Sequence, residues 1–319
     1  MKLNALLIGC GNIGAGYDRA DAQKVWTHAR AYASLNVPFS VYDHDRGKAK
    51  EVADRYSAIL MEDLREQDYG RFGMVSITTP TSTHFQYLSE AMRQDVPVII
   101  CEKPVVNSTA EALQLKELHK RCNSKILVNY IRRFQPAYRE AKEKISTFAK
   151  SDQPEAISIR YHRGFLNNAG HAIDLLEFFF DQPFVPGSFH TSEFAFDAFE
   201  DDPTISGSCT FMGCPVTFTG ITGATAPVFE MEITFQKHRV SITNSGNDIR
   251  YFTREGNDFT EEIGERIENI LDTYMLPVIR QAIELYHTKD QPDNFMSALE
   301  MNLRVLQIIE PLKEIQCHN

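Results

Sequence analysis

The feature that most constrains this chain is a short apolar run that leads directly into regularly spaced glycines. Residues 3–8 are too few for a helix, and residues 9–14 follow as Gly-Cys-Gly-Asn-Ile-Gly. A strand that ends in Gly-x-Gly-x-x-Gly and continues into a helix is typical of dinucleotide-binding folds. Gly9 permits the tight turn, Gly11 lets a pyrophosphate approach the backbone, and Gly14 lets the helix lie close to the strand, with the first helical N–H groups facing the phosphates. The cofactor contacts predicted from this turn are Gly9, Gly11, Asn12, Ile13 and Gly14.

Glycines also mark ordinary turns, so the motif needs support from the rest of the chain. The apolar segments 38–42, 74–78 and 96–101 alternate with helical patterns up to Cys122, which indicates βαβ units and a parallel sheet. These segments are followed by Asp43, by Thr79-Pro80 and by Glu102-Lys103-Pro104. Ligands of such sheets bind at the carboxyl ends of the strands. The sequence therefore predicts one ligand-binding edge.

The acid at the end of the second strand bears on the choice of cofactor. A carboxylate at the position of Asp43 hydrogen-bonds the adenosine ribose hydroxyls and repels a 2′-phosphate, which favours NAD. Arg46 is near enough in sequence to accept a 2′-phosphate, so NADP stays open. The alternative role for Asp43 is to cap the helix predicted over Arg46–Tyr56.

Composition limits the classes of partner. A chain of 319 residues predicts two domains, and a formal net charge of −10 argues against nucleic acid or an anionic membrane as partner. No apolar run is long enough to span a membrane, and Met1-Lys2-Leu3 enters the first strand without a signal peptide. The six cysteines include no Cys-x-x-Cys pair, which predicts reduced thiols in a cytoplasmic protein and no metal site.

Several motifs together resemble the Gfo/Idh/MocA oxidoreductase family. They are residues 9–14, Val41-Tyr42-Asp43, Thr79-Pro80-Thr81-Ser82-Thr83-His84, Cys101-Glu102-Lys103-Pro104, residues 129–136, and His171-Ala172-Ile173-Asp174. The resemblance implies a Rossmann domain followed by a domain with an open, mostly antiparallel sheet. It also implies cofactor contacts from Thr79, Pro80, His84, Glu102 and Lys103. Beyond about residue 185 the resemblance is only architectural.

The resemblance further implies an activity. Members of the family transfer hydride between an alcohol carbon of a sugar or cyclitol and NAD or NADP. The lysine of Glu-Lys-Pro lies between nicotinamide and substrate, and a histidine of the second domain serves as acid and base; by motif these are Lys103 and His171. A cis Lys103–Pro104 bond is also expected.

The same two roles can be argued from chemistry. Oxidation of a secondary alcohol needs a base for the hydroxyl proton while hydride leaves for nicotinamide. Lys103 can stabilise the developing alkoxide, and His171 titrates near neutral pH. The alternatives are a surface lysine after a strand and a histidine at a helix N-terminus.

One position departs from the family pattern Asp-x-x-x-His-x-x-Asp. Asn167 stands where the first aspartate is usual. An amide can orient a hydroxyl but cannot take a proton, so the substrate differs, the activity is reduced, or the protein only binds. Asp174 shares the helix face of His171 and can partly compensate.

Further substrate contacts are predicted around the start of the second domain. Residues 125–130 form the last Rossmann strand and deliver Asn129, Arg132 and Arg133 to the cleft. The two arginines can fork onto a carboxylate or phosphate, or else pair with surface acids. With Arg160 and Arg163 they suggest an anionic substrate such as a sugar acid or a nucleotide-linked sugar.

An insertion follows the glycine turn. Gly16 and a polar stretch delay the next helix until about Trp26-Thr27-His28. His28 is either a surface or capping residue, or it borders the substrate site, and we expect this insertion to form part of the substrate entrance.

The predicted architecture is an α/β Rossmann domain over residues 1–123, followed by an α+β substrate-binding and oligomerisation domain over residues 124–319. A hairpin is expected around residues 213–215, and helices over 171–181, 265–287 and 294–314. Pro277 is expected to kink the second of these helices, and the last helix can pack back on the Rossmann domain. Face-to-face pairing of the second sheet predicts a homodimer or homotetramer.

The sequence thus supports two functions. The first is an NAD(P)-dependent dehydrogenase acting on a sugar, sugar acid, nucleotide sugar or cyclitol. The second is a catalytically silent regulatory protein that binds dinucleotide or sugar; Asn167 favours it, whereas the presence of both Lys103 and His171 argues against it.

Overall fold

The computed structural model describes residues 3–19, 23–262, 267–288 and 291–317. The chain divides into two compact units. The first takes the chain up to Phe134 together with Asp272–Glu300, and the second takes Gln135–Leu271 together with the chain from Met301 on. The predicted boundary after residue 123 therefore lies too early, because the strand after it pairs within the first sheet.

The first unit is built on a parallel sheet of six strands in the order β3-β2-β1-β4-β5-β6. The strands are β1 (Ala5–Ile8), β2 (Phe39–Tyr42), β3 (Ile59–Leu60), β4 (Met74–Ile77), β5 (Val98–Cys101) and β6 (Lys125–Val128). Its helices are α1 (His28–Ser34), α2 (Arg46–Tyr56), α3 (His84–Arg93), α4 (Thr109–His119) and α5 (Ile131–Phe134). The strand order reverses between β1 and β4, which is the point where open α/β sheets bind ligands.

A helix from late in the chain completes the core of this unit. In α8 (Met275–Thr288), Met275, Val278 and Ile279 are buried in one cluster with Leu7 and Ile100 of the sheet. The helix that packs back is thus mainly the penultimate one, although α9 (Phe295–Cys317) also begins within the first unit.

Proline has a different effect in α8 than the sequence predicted. The helix begins at Met275, whereas residues 265 and 266 of the predicted range lie outside the described part of the chain. Pro277 therefore occupies the first turn, where the missing N–H removes no helical hydrogen bond. The predicted kink is not required. A proline does lie in the interior of α9, at Pro311.

The second unit is built on an eight-stranded sheet in the order β14-β13-β12-β11-β7-β10-β9-β8. The strands are β7 (Pro154–Tyr161), β8 (His190–Ala195), β9 (Thr204–Phe211), β10 (Cys214–Gly220), β11 (Phe229–Phe235), β12 (His238–Thr243), β13 (Asp248–Glu255) and β14 (Asp258–Glu261). All neighbouring pairs are antiparallel except β7 and β10. Helices α6 (Pro136–Ser151) and α7 (Gly170–Phe180) belong to this unit. The predicted fold class, a parallel Rossmann sheet plus a mostly antiparallel sheet, is confirmed.

The cysteines follow the sequence expectation as far as the structure describes them. Cys10, Cys101, Cys209 and Cys214 are buried, Cys122 is half-buried, and all five are free. Burial raises the pKa of Cys209 to about 12 and that of Cys214 to about 11. The side chain of Cys317 lies outside the described part. Within the described ranges, the helices are too short or too polar to cross a lipid bilayer.

In the turn between β9 and β10, Met212 adopts a left-handed backbone conformation that its side chain disfavours. Met212 and Gly213 have φ values of 53° and 79°, the left-handed pair that a two-residue hairpin turn requires. Asn tolerates this conformation better than Met, and Met212 is half-exposed. We expect Met212→Asn to stabilise the second unit by about 0.5–1 kcal/mol and to raise Tm by about 1–3 °C. Met212→Ala shortens the same side chain without the left-handed preference, so an equal rise in that variant would contradict the explanation.

Candidate functional site

The three glycines after β1 have different surroundings. A Cβ on Gly9 would lie 2.8 Å from the Thr78 and Thr79 backbone, and one on Gly14 would lie 2.2 Å from the carbonyl oxygen of Gly9. Among the described residues, a Cβ on Gly11 would meet no atom within 4 Å. Gly9 and Gly14 are therefore required by chain packing, whereas Gly11 opens onto free space. That is the arrangement a pyrophosphate needs in order to reach the backbone.

The segment after Gly11 is a single π-helical turn over Asn12–Gly16. The N–H groups of Ala15 and Gly16 both donate to the carbonyl oxygen of Gly11. The N–H groups of residues 12–14 precede these bonds, so they stand where a helix presents donors to an anion. As the sequence predicted, the regular helix is delayed: α1 begins only at His28.

Asp43 ends β2 at the same edge. Its Oδ2 accepts from the N–H of Cys10 at 2.6 Å, and its Oδ1 accepts from the N–H of Asp45 at 2.8 Å. The cap of α2 is Asp45, which accepts from the N–H groups of Gly47 and Lys48. The alternative in which Asp43 caps this helix is therefore wrong. Burial and then the Asp43 charge raise the pKa of the Cys10 thiol to about 12.

Arg46 was the candidate contact for the 2′-phosphate of NADP. Its side chain is directed towards the carboxylate of Glu62. Its side chain is 74% exposed and its Nη1 lies 3.5 Å from Glu62 Oε2. A pair this exposed is weak and leaves the guanidinium mobile in solvent.

The loop after β4 is tied to the turn after β5 by a histidine. The ring of His84 is buried, with Nδ1 2.9 Å from the Pro104 carbonyl oxygen and Nε2 2.9 Å from the Thr79 carbonyl oxygen. Burial lowers the pKa of His84. The expected direct contact of His84 with cofactor does not fit a ring that is 1% exposed. The ring instead links, by hydrogen bonds, the two loops that carry Thr79-Pro80 and Lys103-Pro104.

The Glu-Lys-Pro segment follows β5 and has the expected cis Lys103–Pro104 bond. Lys103 is half-buried, whereas Glu102 points into the interior with 9% of its side chain exposed. Glu102 Oε1 accepts from His28 Nε2 at 2.9 Å and from Asn129 Nδ2 at 2.6 Å. Burial alone would raise the pKa of Glu102, but the hydrogen bond and charge of His28, the Asn129 amide and the Lys103 charge outweigh it and lower the pKa.

The position of His28 corrects the sequence prediction. Its ring is 0% exposed and contacts Ser76 and Glu102 inside the first unit. A side chain with no exposed surface neither caps a surface helix nor borders a substrate. The cap of α1 is Thr27, whose side chain accepts from the N–H of Arg30.

The residues after β6 are more buried than surface arginines would be. Asn129 is fully buried, and Arg132 on α5 is 7% exposed, so surface pairing is ruled out for Arg132. Arg133 is half-buried.

In the second unit, the predicted substrate residues flank an unusual turn. Arg163 and Gly164 have φ values of 60° and 83°, and a π-helical turn over Phe165–Ala169 follows. The buried carboxylate of Asp202 accepts from the N–H groups of Leu166 and Asn167, each at 2.8 Å. Asp202 thus fixes the backbone at Asn167, the position where this chain differs from the aspartate of the family pattern. No pattern in the sequence pointed to this residue.

His171 and Asp174 lie one turn apart on α7 and are both buried, at 7% and 3% exposure. The His171 ring packs edge-on to Phe229, with 6.3 Å between the ring centroids. Arg160 does not belong with them: it lies on the exposed side of β7 and pairs with Glu230 at 2.8 Å. Its predicted part in an anionic site is therefore wrong, because alternate residues of a strand face opposite sides.

These observations define a Rossmann-type dinucleotide-binding unit joined to a mixed α/β unit. Residues 3–130 match the model of the Gfo/Idh/MocA family, an oxidoreductase family with an NAD-binding Rossmann fold. The chain therefore resembles this family over residues 3–130.

Individual relatives agree with the family. An inositol 2-dehydrogenase of Renibacterium salmoninarum is 29% identical over 152 residues, which cover 46% of this chain and 42% of that protein. A UDP-N-acetylglucosamine 3-dehydrogenase of Acidithiobacillus ferrooxidans is 36% identical over 114 residues, which cover 34% of each. The matches thus span less than half the length of these two relatives. A crystal structure of the latter enzyme superimposes with a TM-score of 0.73 at 18% identity, covering 97% of each chain, which shows a shared fold.

Proposed function

We propose that this chain is an NAD-dependent dehydrogenase that moves hydride to or from a secondary alcohol carbon of a sugar-like substrate. The single observation that carries the proposal is the edge of the first sheet. There, a glycine turn with open space at Gly11 stands in the same row of strand ends as Asp43 and Lys103. The fold supplies a cradle for a dinucleotide, and Lys103 supplies a cation.

The residues present fit a nicotinamide dinucleotide. Residues 9–14 would hold the pyrophosphate through backbone N–H groups, and Asp43 would bind the adenosine ribose. Once bound, NAD supplies the hydride acceptor. Asp43 supports NAD over NADP, because a 2′-phosphate would meet its charge. Exposed Arg46 pairs with Glu62 and gives a 2′-phosphate only weak compensation.

The chain's own residues would handle the proton and the developing charge. In the first unit, the Lys103 ammonium would stabilise an alkoxide as the hydroxyl proton leaves, and in the second unit His171 is the candidate acid and base. Asp174, one turn along α7, would stabilise the imidazolium that results. Asn167 would orient a hydroxyl without changing charge.

The substrate class follows from the polar and cationic residues. We assign this chain to sugars, sugar acids, nucleotide-linked sugars and cyclitols as substrates. The candidate contact for a carboxylate or phosphate is Arg132 in the first unit and Arg163 in the second. Both relatives named above carry names of dehydrogenases of such compounds.

A second function, a silent dinucleotide-binding regulator, is favoured by one observation. Asn167 replaces a usual acid, and its backbone is held by Asp202. The two functions predict the same cofactor binding and differ in turnover.

The test combines binding with a substrate panel. We expect NADH fluorescence to show a Kd at least about tenfold lower than that for NADPH, a difference of about 1.4 kcal/mol. A panel of cyclitols, aldoses, sugar acids and UDP-sugars with NAD⁺ should then give NADH with at least one class. Binding without turnover across the panel would select the regulatory function, and absence of NADH and NADPH binding would overturn both.

A further inference from the structure

One arginine of the second unit stands in a backbone conformation that does not suit it. Arg163 follows β7 with a φ of 60°, and its side chain is exposed. A residue other than glycine pays a conformational cost in this left-handed region, and residues that pay it concentrate at functional sites. Glycine or asparagine adopts the same backbone at lower cost. The local fold therefore does not explain why an arginine is present.

The turn that follows Arg163 is held by a short segment between β8 and β9. Four consecutive N–H groups, those of residues 164–167, donate to residues 202–204 over distances between 2.8 and 3.0 Å. The acceptors are Thr204 Oγ1, the Pro203 carbonyl oxygen and the two carboxylate oxygens of Asp202. The start of a helix binds anions through such N–H groups, and here they already have internal acceptors. An anionic ligand at this turn therefore needs a side-chain donor.

The side chain of Arg163 offers such donors. Its Cζ lies 5.6 Å from the centroid of the Phe199 ring, and with the residues that the structure describes the guanidinium makes neither a hydrogen bond nor an ion pair. Phe199 is half-buried, and its Cδ2 lies 3.1 Å from the place that a Cβ on Gly164 would take. An arginine stacked on a ring is held by its flat face, so its N–H groups remain available to a carboxylate or a phosphate.

The acids of the same loop have other partners or lie in solvent. Asp197 accepts from a threonine hydroxyl at 2.7 Å and from a glycine N–H at 3.0 Å, and Asp202 accepts from two backbone N–H groups. Glu200 and Asp201 are exposed, so water and salt screen their charges. An acidic loop does not attract anions from a distance. An anion bound by Arg163 therefore has to touch the guanidinium directly.

We propose that Arg163, stacked on Phe199, binds an anionic group of the substrate, a carboxylate or a phosphate. This narrows the substrate from sugars and cyclitols in general to those that carry such a group, and it makes Phe199 a specificity-determining residue. The proposal rests on the proposed function for the reaction that follows binding. The binding of the anion itself can be measured without turnover.

The test compares probes that differ in one group. Calorimetric titration of the whole protein, with and without saturating NADH, gives Kd for glucose, glucuronate, glucose 1-phosphate and UDP-glucose. We expect at least one anionic probe to bind at least about tenfold more tightly than glucose. Arg163→Gln should remove most of this difference, raising Kd of that probe about tenfold or more, because hydrogen bonds to charged groups are the strong ones. Kd for glucose should stay the same.

Arg160→Gln is the matched control. It removes the same charge from an exposed side chain on β7, where Arg160 pairs with Glu230, and should change Kd of the anionic probe less than about twofold. Phe199→Leu keeps an apolar side chain but removes the ring under the guanidinium. We expect it to raise Kd of the same probe about two- to fivefold.

A further variant separates binding from folding. Arg163→Asn suits the left-handed backbone better, so Tm should stay equal or rise while binding of the anionic probe is lost. An arginine with a merely structural role would instead lower Tm when it is replaced by asparagine.

The remaining outcomes divide between the two proposals. The anion contact is overturned if no anionic probe binds more tightly than glucose, or if Arg160→Gln weakens binding as much as Arg163→Gln. A loss confined to glucuronate supports a sugar acid as substrate, and a loss confined to the two phosphate probes supports a phosphorylated or nucleotide-linked sugar. Arg163-dependent binding in a protein that binds neither NADH nor NADPH keeps the anion contact and rejects the proposed function. NADH binding and turnover of neutral sugars alone would do the reverse.

Discussion

Replacing Gly11 by Ala should abolish tight NADH binding while leaving the fold intact. The new methyl group would meet no atom of the residues that the structure describes within 4 Å, and the backbone at this position has φ −70° and ψ −164°, which Ala adopts freely. The same methyl group would occupy the space through which a pyrophosphate reaches the backbone. We expect Kd for NADH to rise at least about 30-fold, or about 2 kcal/mol, with Tm changed by no more than about 1 °C. Fluorescence titration and thermal unfolding measure the two quantities.

A matched glycine provides the control. A methyl group on Gly187 in the second unit would likewise meet no atom within 4 Å in the described part of the chain, so Gly187→Ala should change neither Tm nor Kd. Gly14→Ala places a methyl group 2.2 Å from the Gly9 carbonyl oxygen and should lower Tm as well as binding. If Gly11→Ala binds NADH as the wild type does, the dinucleotide does not lie over this turn.

The parallel sheet could be predicted because local signals and global topology agree. Each strand of the first unit is a short apolar run followed by a turn signal, and burial on both faces requires such runs. The helix over Arg46–Tyr56 was predicted with its observed bounds, since Asp45 and the following sequence carry an N-cap pattern. The cap considered from the sequence was Asp43, whereas Asp45 makes it.

The buried polar residues could not be predicted in the same way. His28 and Glu102 are 74 positions apart, and Asp202 lies 35 positions after Asn167. No local pattern distinguishes a histidine that will meet a buried carboxylate from one that will face solvent. The insertion before His28 was expected to form part of the substrate entrance; residues 20–22 of it lie outside the described part of the chain, and Asp18 accepts from the N–H groups of Trp26 and Thr27 at the start of α1.

The boundary between the units shows a further limit. Periodicity marks where helices and strands occur, but it does not say which sheet a late helix packs on. α8 follows the whole second sheet in sequence, and its apolar side is nevertheless buried with strands near the N-terminus. The hydrophobic stripe of α8 was visible in the sequence, and its partner was not.

Replacing Lys103 by Met should produce the largest loss of turnover. Met preserves much of the apolar stem and removes the only charge of the side chain, so an alkoxide would lose its cationic partner. Removing a donor to a developing oxyanion lowers kcat by roughly 10²–10³, or about 2.7–4 kcal/mol, and we expect a loss in that range with the best substrate of the panel. NADH affinity should change less than about threefold, because the pyrophosphate and ribose contacts lie elsewhere.

Lys50→Met, on the exposed face of α2, is the matched control and should leave kcat unchanged. Deuteride transfer from labelled substrate in a single turnover isolates the chemical step from product release, which steady-state kcat does not. An equal loss in kcat and NADH affinity would place Lys103 on the cofactor rather than on the alkoxide. A Lys103→Met variant that retains wild-type single-turnover rates would remove this residue from the chemistry, and the charge stabilisation would then have to come from another cation, for which the buried Arg132 of the first unit is the candidate.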